Sequence, residues 1–106
     1  MSDLFDQFKK DISENNIVLY MKGTKDSPKC GFSTAVVKVL ENLGLEFKDV
    51  DVMEDDRIRE GIKQFTNWPT LPQLYIKGEF VGGCDIVREL YKNGELQEIF
   101  KKHNLL

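Results

Sequence analysis

Apolar residues recur along this chain at two different periods, and the changes of period divide it into elements. Leu4, Phe5, Phe8 and Ile12 stand three and four apart, the spacing of one helix face, with Ser2 or Asp3 placed to cap the start. Asn15-Asn16 ends that helix. Ile17-Val18-Leu19-Tyr20-Met21 then runs without a polar break and predicts a buried strand. A polar stretch from Gly23 to Lys29, with Pro28 inside it, reads as a loop. Val36, Val37, Leu40 and Leu43 mark a second helix closed by Gly44, and Phe47–Val52 alternates like a strand. Ile58, Ile62 and Phe65 share one side of a third helix that Asp55 or Asp56 caps. Leu74-Tyr75-Ile76 and Phe80-Val81 flank Lys77-Gly78-Glu79 as a hairpin. Gly82-Gly83 breaks that pattern. Asp85 is placed to cap a fourth helix through Ile86, Val87, Leu90 and Tyr91, and Leu96, Ile99 and Phe100 form a last short helix after Asn93-Gly94.

The order α-β-α-β-α-β-β-α-α fixes most of the topology. A β-α-β opening joins two parallel strands by a right-handed crossover, and the hairpin adds antiparallel ones. The result is an α/β domain, a four-stranded mixed sheet flanked by about five helices, which is the outline of a thioredoxin-like fold. With no repeat, linker or low-complexity tract in 106 residues, a single domain over 1–106 is expected. Seven Phe and a hydrophobic fraction of 41% supply its core.

Charge and cysteine count narrow the chemistry. A formal net charge of −3 offers no footprint for nucleic acid or an anionic membrane. The five-residue run Ile17–Met21 is too short to cross a bilayer. Asp3 and Asp6 stand where a secretory leader needs base and then apolar length, so a cytoplasmic location is expected. Two cysteines, Cys30 and Cys84, and one histidine, His103, are too few for a disulfide scaffold or a four-ligand zinc site. Three options remain: a reactive thiol, inert buried thiols, or a metal site completed from outside the chain. His103, between Lys102 and Asn104 near the end, reads as a surface residue.

Cys30-Gly31-Phe32-Ser33 lies where a loop enters a helix. A thiol there meets unpaired N–H groups and the positive end of the helix dipole, with Lys22 and Lys29 nearby, all of which favour thiolate. Ser33 occupies the position from which a second thiol would resolve a mixed disulfide, and a hydroxyl cannot perform that attack. Only Cys84 or an external thiol could do so.

These residues, with Trp68-Pro69-Thr70-Leu71-Pro72-Gln73 and Gly82-Gly83-Cys84-Asp85 in the same order and spacing, resemble the monothiol glutaredoxins of the CGFS type over essentially the whole chain. Lys25 departs from the family pattern, which often has proline there. The resemblance implies a glutathione site. Leu71, ahead of a cis Pro72, would pair with the cysteinyl unit through its backbone. Cys84 and Asp85 would hold the γ-glutamyl end, and Lys22 and Arg59 the glycine carboxylate, with Lys63 a weaker candidate for the same task. It also implies a [2Fe–2S] cluster bridged between two chains, with Cys30 as the metal ligand from each. The chain would be monomeric when apo and a homodimer when loaded, handing clusters to iron–sulfur acceptor proteins in company with BolA-like partners. Any enzyme activity would be a weak glutathione-dependent oxidoreductase reaction, the removal of glutathione from protein thiols.

Overall fold

The computed structural model describes residues 2–106, with Ser2 described by its backbone alone. In chain order the elements are α1 (Ser2–Glu14), β1 (Ile17–Met21), β2 (Gly23–Thr24), β3 (Ser27–Pro28), α2 (Gly31–Asn42), β4 (Lys48–Asp51), α3 (Asp56–Thr66), β5 (Gln73–Ile76), β6 (Glu79–Gly82), α4 (Cys84–Lys92) and α5 (Glu95–Lys102). The main sheet runs β4-β1-β5-β6, with β1 parallel to β4 and the other neighbours antiparallel.

β1 explains the uniform hydrophobicity of Ile17–Met21. Helices cover both faces of the sheet, so alternate side chains enter different cores and none meets water. Ile17, Leu19 and Met21 join an aliphatic core with Val36 and Leu40 of α2, Val87 of α4 and Phe100 of α5. Val18 and Tyr20 face the opposite, aromatic core with Phe8 of α1 and Ile62 of α3. The aromatic rings there meet at tilted and edge-on angles: Phe5 and Phe8 on Phe65, Phe8 on Tyr20, Tyr20 on Tyr75, Tyr75 on Phe80, and Phe80 on Trp68.

Several boundaries differ from the sequence pattern. The cap of α1 cannot be assigned to Ser2, whose side chain lies outside the described residues; Asp3 sits in the first turn. α3 is capped by Asp55, which accepts the Arg57 N–H at 2.9 Å. The hairpin turn is the two-residue Lys77-Gly78, both at positive φ, and Glu79 already pairs with Ile76. α4 begins two residues earlier than a cap at Asp85 implies: Gly83 has the extended backbone of an N-cap, and Asp85 falls inside the first turn. The stretch after β1 is a small hairpin, β2 against β3. Gly23 makes it possible, with φ +88° and the Ser27 carbonyl oxygen 2.5 Å from where a Cβ would stand. His103, expected at the surface, is half-buried as the C-cap of α5, its N–H bonded to Ile99 O.

Candidate glutathione and thiol site

Cys30 is the N-cap of α2, with φ −149° and ψ 141°, and its sulfur makes no cap bond. The chain leading to it is held at every step. Lys29 N–H donates to Lys22 O at 2.9 Å, and Lys22 N–H donates to the Ser33 hydroxyl oxygen at 3.1 Å. Ser33 is fully buried. Gly23 N–H donates to Asp51 at 3.0 Å and Lys25 N–H to Asp49 at 2.8 Å, so two carboxylates of β4 pin the β2–β3 hairpin. The Lys25 ammonium adds a bond to Phe47 O at 3.0 Å and lies over the Phe47 ring. At the position where the family often has proline, stiffness therefore comes from tethers.

Electrostatics separate the two thiols. Partial burial works against ionising Cys30, but the N–H groups of Ser33 and Phe32, the Ser33 hydroxyl and the Lys22 ammonium together outweigh it. They hold the thiol below its ordinary range. Burial pushes the Cys84 thiol up, and Arg88 offsets this only in part. Both cysteines are free, Cys84 being the buried one.

A cavity of about 170 Å³ lies between the N-termini of α2 and α4 and the segment that precedes β5. Phe32 forms one wall, Trp68, Thr70 and Leu71 another, and Gly83, Cys84, Asp85 and Ile86 the third. Because Gly83 caps α4 without a side chain, the first N–H groups of that helix, including those of Cys84 and Asp85, have neither an intrahelical partner nor a cap to satisfy them. A carboxylate fits there. Gly83 also leaves close room for its neighbours: a Cβ would stand a tight 3.2 Å from Pro72 O and 3.3 Å from Trp68 Nε1. That indole N–H is buried without a partner, a further donor beside the cavity. The Leu71–Pro72 bond is cis.

Of the residues the resemblance implicates, Leu71, Cys84 and Asp85 line the cavity, Pro72 backs it, and Lys22 acts on Cys30. Arg59 is not in the cavity wall. It pairs with Asp56 at 3.2 Å and Glu60 at 3.6 Å on its own helix, and Lys63 pairs with the same Glu60. A larger cavity of about 650 Å³ between α1 and α3 has Asp3, Gln7, Asp56 and Glu60 in its wall and no thiol. The smaller one has the Cys84 thiol in its wall. Among the described residues, no three or more His, Cys, Asp or Glu side chains are grouped to hold a metal ion.

The glutaredoxin family model matches residues 17–81, from β1 into β6. The chain belongs to the glutaredoxin family. With one thiol in Cys30-Gly31-Phe32-Ser33 it is a monothiol glutaredoxin, and its relatives carry that description. It is 57% identical over 95 residues to the probable monothiol glutaredoxin 2 of Rickettsia typhi, covering 90% of this chain and 86% of that one. The solution structure of reduced apo GrxS14 from poplar is 50% identical and superposes with a TM-score of 0.83 over 93% of this glutaredoxin and 91% of that chain. A buckwheat glutaredoxin–glutathione complex, 23% identical, shares the fold, with a TM-score of 0.86 over 99% of this chain and 94% of its own.

The sequence named the thiol and the helix start but passed over what holds them. Ser33 was read only as a missing thiol, and Asp49 and Asp51 only as polar positions of an alternating strand. Gln73, fully buried, was a letter in a motif without a role.

Proposed function

We propose that this glutaredoxin binds glutathione in the cavity beside Cys30 and carries a [2Fe–2S] cluster as cargo between two chains, in the cytoplasm. The observation that carries the reading is the inequality of the two thiols. Cys30 is partly exposed at a helix start and favoured as thiolate, whereas Cys84 is buried and held as thiol. One chain thus offers one ligand to a cluster that takes four thiolate-type ligands. Two chains offer two. A glutathione in each cavity, its carboxylate on the free N–H groups of α4, brings its own thiol toward Cys30 and completes the set. Phe32 and Ile86, exposed apolar residues in the cavity wall, give the loaded halves a surface on which to meet. Transfer to acceptor proteins, with BolA-like partners, is the corresponding cellular task.

The same thiolate favours a weaker second activity. Cys30 sulfur attacks the glutathione sulfur of a glutathionylated protein, releasing the protein thiolate. A second glutathione thiolate then attacks that mixed disulfide, giving glutathione disulfide and free Cys30. Ser33 cannot shorten this route and Cys84 is buried, so we take its rate to depend on external glutathione.

Anaerobic reconstitution with iron, sulfide and glutathione tests the main reading. The expected product is a dimer with one visible-absorbing cluster and two glutathiones, absent for Cys30→Ser and retained by Cys84→Ser. A cluster-bearing monomer, or a loaded dimer without glutathione, refutes it.

A further inference from the structure

We infer that Gln73 is a positioning residue for ligand binding: its buried amide clamps the Trp68–Thr70 segment and thereby sets the backbone of Leu71 in the cavity wall. The inference rests on the glutathione reading above and adds to it a residue that touches no ligand.

Gln73 is the first residue of β5, opposite Tyr20 of β1, so its side chain enters the aromatic core. A fully buried amide among rings is costly unless all its groups are paired, and here they are. The Nε2 group donates to Trp68 O at 3.2 Å and to Thr70 O at 3.3 Å. Oε1 lies 3.3 Å from the Tyr75 hydroxyl and 3.1 Å from that of Thr66. Burial pushes the Tyr75 phenol up, which keeps it a donor. The orientation of the amide is therefore unique, since turning it over would set Oε1 against two carbonyl oxygens. Thr66 closes the ring by accepting the Trp68 N–H at 3.2 Å while donating to Ile62 O at 2.9 Å.

The geometry reaches the cavity in one step. Trp68 and Thr70 are both in its wall, Leu71 follows directly, and the Trp68 indole packs against Gly83 at the start of α4. Without the clamp two carbonyls lose their donor and the segment has no reason to keep this path. The side chains that bear on Cys30 belong to other elements, so the clamp governs ligand affinity and leaves the thiol's ionisation alone.

The test uses Gln73→Met, which keeps length without donors, and the near-isosteric Tyr75→Phe, which removes the group that orients the amide and is the safer variant to fold. Glutathione titration calorimetry well below each melting temperature should read about tenfold weaker binding for Gln73→Met and about threefold for Tyr75→Phe. The pH profile of Cys30 alkylation should match the parent. A folded Gln73→Met, or failing that Tyr75→Phe, with parental affinity overturns the clamp, as does a Cys30 profile that moves with affinity. A parent chain that does not bind glutathione overturns the proposed function instead. The clamp is then judged by amide exchange at Trp68, whose N–H is bonded to Lys63 O and the Thr66 hydroxyl; it is expected to be about tenfold faster there with Val18 unchanged, and equal rates at Trp68 overturn the clamp.

Discussion

At the scale of single residues, the contrast between Cys30 and Cys84 is set by neighbours of opposite effect on chemically identical thiols. Iodoacetamide labelling against pH should give Cys30 a midpoint below that of free cysteine, about 8.5, and Cys84 one above it. Ser33→Ala should move the Cys30 midpoint up toward the free value, because it deletes a hydroxyl that favours the thiolate. The signs for stability are opposite. A depressed Cys30 value contributes stability above the unfolded pKa that is lost as pH falls through the folded one. A raised Cys84 value contributes stability below the unfolded pKa that is lost as pH rises through the folded one. Labelling that shows one common midpoint would remove the distinction on which the single-ligand reading depends.

At the scale of elements, the sequence pattern was enough for every helix and for the four long strands, because each helix carries its period and each strand an alternating or unbroken apolar run. It was silent where a residue's role is decided by its own backbone or by a partner that the local pattern does not show. Asp85 carries the side chain of a cap, yet Gly83 caps α4 because its backbone takes the extended entry. The hairpin at Gly23–Pro28 was invisible because its anchors Asp49 and Asp51 lie 24 and 28 residues away. Ser33 is 11 residues from the Lys22 N–H it accepts. Arg59, which the resemblance places at a ligand carboxylate, pairs here with carboxylates one residue and three residues away on the exposed face of α3. Packing between elements yields its own prediction. Phe8 of α1 is 2% exposed and edge-on to both Tyr20 and Phe65, so Phe8→Ala should cost about 3–5 kcal/mol. That is a large share of the roughly 5–15 kcal/mol available to such a domain, and denaturant unfolding will measure it. A loss under 1 kcal/mol would mean that α1 is not part of the cooperative core.

For the molecule as a whole, the sheet separates two interiors of different character. The aliphatic side holds α2, α4 and α5 and with them the starts of the helices that flank the cavity. The aromatic side runs as a connected series of rings from Phe5 through Phe8, Tyr20, Tyr75 and Phe80 to Trp68, the single tryptophan, which ends it in the cavity wall. This arrangement makes the protein its own optical instrument. Tyr20 and Tyr75 absorb light that passes by resonance transfer to one acceptor, and that acceptor faces the place a ligand enters. Emission excited through the tyrosines should therefore change in intensity or colour as glutathione is titrated in. Tyr20→Phe, outside the Gln73 clamp, should dim the tyrosine-excited signal while leaving direct excitation of Trp68 as bright as before.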